Sequence, residues 1–147
     1  MKIRHGFVSN SSSTSFCLYG IRIECYDGEK FVNRLKERKP ELLKKIIEES
    51  SVENTEDLIK MSEKYPEEFW EIILYGCKNE IKDLEIESMP EDEDFCIGRG
   101  LVQLKDGETG GEFKERTKTD IIESYSIFLD EGKDFKFKIY AESWYDG

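Results

Sequence analysis

Phe16-Cys17-Leu18-Tyr19-Gly20-Ile21-Arg22-Ile23-Glu24 is the stretch that decides the fold class. Aromatic and β-branched residues dominate it, which suits a pleated, half-buried strand better than a helix. Tyr19, Ile21 and Ile23 fall on one face, in line with Cys17 and Cys25. Asp27-Gly28 then ends the strand as a turn. Beyond that turn the apolar residues change period. Phe31, Val32 and Leu35 are spaced for a helix over residues 29–38, and Pro40 fits the first turn of a second, with Leu42, Leu43, Ile46 and Ile47 as its apolar stripe. Asn54 or Thr55 caps a third helix carrying Leu58, Ile59 and Met61. Pro66 opens a fourth, in which Phe69, Trp70, Ile73 and Cys77 share a face and Gly76 is placed to close it.

After Asn79 the texture changes again. Residues 84–88 read as a short strand, 89–94 as an acidic loop, and 95–104 as a strand interrupted by Gly98 and Gly100, with a bulge expected there. Asp106-Gly107-Glu108-Thr109-Gly110-Gly111 is a turn, and Thr109 with Glu112 makes a capping box for a helix carrying Phe113, Thr117, Ile121, Ile122, Tyr125, Phe128 and Leu129. The same turn lacks the lysine of a phosphate loop and the ligand spacing of a calcium loop. Phe135, Phe137, Ile139 and Ala141 alternate with polar neighbours, as in a half-buried strand. The order strand, helices, strands, helix, strand predicts an α+β fold: one domain over residues 1–147, a small, mostly antiparallel sheet of three or four strands, and helices packed on one face.

The net charge of −11 is concentrated. Residues 53–94 hold fifteen acids and four bases, and the rest of the chain is close to neutral. The densest part carries Glu85, Glu87, Glu91, Asp92, Glu93 and Asp94 with no base among them. This is the wrong sign for ordinary nucleic-acid binding, which depends on neutralising phosphates. It suits docking on a basic protein surface, and acids also serve simply to keep a domain dispersed. Those six residues are the binding candidates. No stretch approaches the roughly 18 apolar residues of a membrane span. Residues 1–20 lack the apolar core of an export signal. Cys17, Cys25, Cys77 and Cys96 are isolated, without the paired spacing of a zinc site. The expectation is a cytoplasmic protein with free thiols and no metal or other cofactor. His5, the only histidine, is expected at the surface rather than in a catalytic arrangement.

Residues 9–15, Ser-Asn-Ser-Ser-Ser-Thr-Ser, lie between apolar Phe7-Val8 and Phe16. The run is expected as a loop held at both ends, with Phe7 and Phe16 docked on the core. Ser11, Ser12, Ser13 and Ser15 are the candidates for covalent modification or for holding a ligand. The opening Arg4-x-Gly6-Phe7-Val8-Ser9-Asn10-Ser11-Ser12-Ser13-Thr14-Ser15-Phe16 resembles that of many small proteins of tailed phages and bacterial genomes, although Thr14 stands where the group usually has serine. Ile97-Gly98-Arg99, Glu108-Thr109-Gly110-x-Glu112-Phe113-Lys114 and the terminal Trp144-Tyr145-Asp146-Gly147 resemble the same group, whereas the helical middle does not. The resemblance brings no catalytic residue or cofactor. It implies a phage or prophage product acting in a bacterial host, a class rich in antagonists of host machinery or immunity. The expected function is a non-enzymatic protein that binds a basic surface of a host or defence protein. The alternatives are a protein processed or modified at its serine run, and an enzyme or small-ligand binder with a nucleotide near the serine run or residues 106–111.

Overall fold

The computed structural model describes residues 13–78, 81, 83–89, 94–129 and 134–145, and at 13–16, 89 and 142–145 it describes the backbone alone. The elements run β1 (Ser13–Ile23), α1 (Gly28–Arg38), α2 (Pro40–Glu49), α3 (Thr55–Lys64), α4 (Pro66–Lys78), β2 (Glu85–Met89), β3 (Asp94–Arg99), α5 (Gly110–Tyr125) and β4 (Lys138–Tyr145). Short 3-10 turns follow β3 and α5. The four strands form one antiparallel sheet in the order β2-β3-β1-β4. The chain is therefore the α+β domain that its periodicities describe. No helix among the described residues is long and apolar enough to cross a membrane.

Local chemistry sets the helix starts. The Asp27 carboxylate accepts from the Glu29 and Lys30 N–H groups at 3.0 and 3.3 Å, and Asn54 accepts from the Asp57 N–H at 2.9 Å. α2 and α4 begin at Pro40 and Pro66, where a missing N–H costs nothing. Gly76 does not end α4, which continues to Lys78. Instead it lets α2 close in, since a methyl at Gly76 would come within 3.0 Å of Ile46 Cδ1.

All five helices lie on one face of the sheet. Ile21 and Ile23 of β1, Ile86 of β2, and Phe95 and Ile97 of β3 point into a core shared with Phe31, Leu35, Ile46, Leu58, Phe69, Trp70, Ile73 and Tyr125. Phe31, Phe69, Trp70 and Phe128 form a continuous ring cluster with neighbouring centroids 4.5–6.1 Å apart, and the buried Tyr125 hydroxyl donates to the Leu74 carbonyl at 2.9 Å.

β3 has no bulge. Gly98 sits opposite Gly20 in unbroken register, because the two main chains approach too closely there for a side chain on either strand. The strand ends at Arg99, five residues before the expected limit, and Gly100 opens a 3-10 turn over Leu101–Gln103. β4 also differs. Phe135 and Phe137 reach the core from an irregular segment, and the strand itself starts at Lys138, where pairing with β1 begins. Ile139, at 55% exposure, is not buried as alternation suggests, because β4 is the end strand of the sheet and α5 packs on β1 and β3 instead. Ser13, Thr14 and Ser15 belong to β1 and pair with Tyr145, Trp144 and Ser143, so the later part of the serine run is strand rather than loop. Ser11, Ser12, His5 and Phe7 lie outside the described residues.

Candidate functional site

Strand alternation settles the placement of the acidic candidates. Glu85 and Glu87 lie on the β2 face that turns away from the helices, and Asp94 lies on the same face of β3. Glu87 is 5% exposed and Asp94 is 8% exposed. Asp94 Oδ2 accepts from Arg22 Nε at 2.8 Å and from its terminal nitrogen at 2.6 Å. Glu85 is half-buried, beside Gly100. The described members therefore do not make an open row of carboxylates, and Glu91, Asp92 and Glu93 lie outside the described residues. Among the described residues, the exposed acids of 53–94 sit on and just before the α3–α4 hairpin: Glu53, Glu56, Glu63, Glu67 and Glu68.

A dense polar network lies elsewhere among the described residues, where β3 leaves the sheet and α5 begins. Arg99, the last residue of β3, points toward α5 and is 1% exposed. Its guanidinium donates to Thr117 Oγ1 at 3.2 Å, to Asp83 Oδ1 at 2.7 Å and to Asp120 Oδ2 at 2.8 Å, while its Nε has no partner among the described residues. Thr117 and Asp120 are one helical turn apart, so one face of α5 meets the guanidinium twice. Arg116 makes a second node. It grips Glu108 through two nitrogens, at 2.8 and 3.1 Å, and also donates to Asp83 Oδ2 at 3.2 Å and to the Gln103 carbonyl at 3.1 Å. Asp83 thus bridges two guanidinium groups.

Gln103 closes the network. Its side-chain oxygen accepts from the Gly100 N–H at 2.7 Å, and its amide nitrogen donates to the Asp83 carbonyl. Gly107, at φ +78°, permits the turn that brings Glu108 back to the Lys105 N–H at 3.0 Å. Thr109 and Glu112 form the expected capping box, at 3.1 and 2.9 Å. The segment from Gly100 to Thr109 is therefore tied at both ends and in its middle. Its first half displays apolar side chains, with Leu101 60% exposed, Val102 95% and Leu104 43%, and its second half displays Lys105 and Asp106.

The ionisation of the network follows from these bonds. The Arg116 side chain, seconded by the Lys105 N–H, pulls the Glu108 carboxyl down to about 2. Desolvation pushes Asp83 up, but the bonds from Arg99 and Arg116 outweigh it and leave that carboxyl below its usual range. A carboxyl whose folded pKa is depressed stabilises the fold above its unfolded value and loses that contribution as pH falls toward the folded one. The grip of Glu108 on Arg116 is therefore expected to hold at neutral pH and to weaken only below about 4.5, with its midpoint near 2. A carbonyl-carbon NMR titration of Glu108 checks this, and a midpoint above 4 contradicts it.

Both guanidinium groups are bonded to carboxylates, so neither is offered to a phosphate or carboxylate ligand. The chemistry is that of a lock. Asp83, Gln103, Arg116 and Asp120 had no sequence signal of their own. The available hints were an arginine ending an apolar strand and Thr117 on the apolar row of α5 between Phe113 and Ile121. Ile97-Gly98-Arg99 and the segment beginning Glu108-Thr109 are the two sides of this lock, and Ser13–Ser15 pairs with the stretch holding Trp144-Tyr145. No family model, curated protein or solved structure matches the chain.

Proposed function

We propose that the protein is a non-enzymatic binding domain whose contact element is the locked segment 100–108, which inserts Leu101, Val102 and Leu104 into an apolar cleft on another protein. The supporting observation is the combination of exposure and constraint. Water-exposed apolar side chains favour burial by a partner, and ordering them in advance removes the entropy cost that a mobile loop incurs on binding. Asp106 and the half-buried Glu85 lie beside them, which suits a cleft with a basic rim, and Lys105 is the one base within the segment. The net charge of −11 and the exposed carboxylates of the α3–α4 hairpin favour the same partner charge by steering encounter at long range. A basic surface of a bacterial host or defence protein is the partner class this reading takes, with antagonism as the role implied by the resemblance to phage proteins.

Two substitutions test it. Leu101→Asp with Val102→Asp changes side chains that are already exposed, so the circular dichroism spectrum should stay unchanged. Affinity for a protein retained by the wild-type chain should fall at least tenfold, about 1.4 kcal/mol. Undiminished retention by the double variant defeats the proposal. Reversing Glu53, Glu56 and Glu67 to lysine should slow association several-fold at low salt and leave dissociation nearly untouched, as measured by surface plasmon resonance. The same change in both rates would give the hairpin a contact role instead.

A further inference from the structure

We infer that the outer edge of β4 accepts an acidic, extended segment of another protein as a fifth strand. β4 ends the sheet order and pairs with β1 through Ser13–Gly20. Among the described residues no strand lies beyond it, so the outward main-chain groups of Lys138–Tyr145 form a pairing edge.

The side chains around that edge set the partner's chemistry. On the helix side, Lys114 lies over the Tyr19 ring at 5.5 Å and Lys118 over Phe137 at 5.9 Å. On the other side, Lys138 lies over Tyr140 at 5.1 Å and Lys136 is exposed. Among the described side chains the facing acids are Glu115, 3.6 Å from Lys118, and exposed Asp134, and Glu142 belongs to the strand itself, so four lysines outnumber three acids around this edge in a chain whose net charge is −11. Ile139 and Ala141 are exposed on one face of the strand and provide apolar contacts for alternate residues of an added strand. A second copy of β4 carries a single acid, Glu142, against the lysines of the edge, fewer than an acidic strand offers. An acidic strand gains both the charge contacts and the main-chain hydrogen bonds. This surface is separate from segment 100–108, and either proposal can fail without the other.

The probe is an acetylated, amidated six-residue peptide alternating glutamate and valine, titrated into the 15N-labelled full-length protein. Saturable shifts confined to the amides of β4 and its neighbours are expected. The same peptide with lysine for glutamate should bind at least tenfold more weakly, as should a version N-methylated on alternate residues, which cannot complete the ladder. Lys136→Glu with Lys138→Glu, both at exposed positions, should lower affinity for the glutamate peptide and raise it for the lysine peptide. No shifts at millimolar peptide, equal binding of the N-methylated peptide, or tighter binding of an oligothymidylate would each overturn the inference, the last by assigning the edge to nucleic acid.

Discussion

Replacing Arg99 with methionine is expected to lower the free energy of unfolding by about 3 kcal/mol, toward the lower end of the 3–5 kcal/mol typical of breaking a buried ion pair. Methionine retains much of the buried volume, so the cost comes from the charge contacts rather than from a cavity. Three groups lose a donor at once: Thr117 Oγ1, Asp83 and Asp120. The two carboxylates are 42% and 27% exposed and can recover some hydration, which is why the upper end is not expected. Asp120→Asn keeps a hydrogen-bond acceptor in place and should cost about half as much, in the range for a charge-assisted bond. Urea unfolding of both variants and of the double variant gives the coupling between them. An Arg99→Met loss below about 0.5 kcal/mol, the scatter of ordinary surface substitutions, would show that the network is incidental to the fold.

Gly98→Ala is expected to be at least as damaging, about 3 kcal/mol or more, at or beyond the upper limit of ordinary overpacking. The obstacle is main chain rather than a side chain able to turn away. A methyl at Gly98 overlaps the Tyr19 carbonyl oxygen, and one at Gly20 overlaps the Ile97 carbonyl oxygen and comes within 2.6 Å of Gly98 Cα. Relief would require β1 and β3 to separate along Tyr19–Ile23, the pairing that joins β2 and β3 to the rest of the sheet. Gly110→Ala is the matched control. Nothing lies within 4 Å of a methyl there, and the site is the first residue of α5, so a neutral or slightly stabilising change is expected. Comparable losses at the two positions in thermal unfolding would contradict the close approach of the strands.

The parts of the fold legible in the sequence are those carried by a repeating local signal. Ile21 and Ile23 announced a face of β1, Pro40 and Pro66 marked helix starts, and Thr109 with Glu112 marked the start of α5. The misplaced features depended on what a residue meets across the fold. Gly76 resembles a helix end until Ile46 is packed against it, and the Gly98 region resembles a bulge until Gly20 is set opposite. Ile139 resembles a core residue until its strand proves to be the last in the sheet. The lock was illegible for the same reason. Asp83, Arg99, Glu108, Arg116 and Asp120 come from three separated stretches, and the charge pattern drew attention to residues 85–94, where Asp94 is already engaged by Arg22.

The claim that segment 100–108 is a preset contact surface is tested most directly by placing a photo-reactive amino acid at position 102, and separately at position 63, in cells carrying the protein. Both positions are exposed, one on the locked segment and one on α3. A discrete protein adduct is expected from position 102, with its loss when Leu101 is changed to aspartate, and no such adduct from position 63. Equal adducts from both positions, or none from position 102, would contradict it.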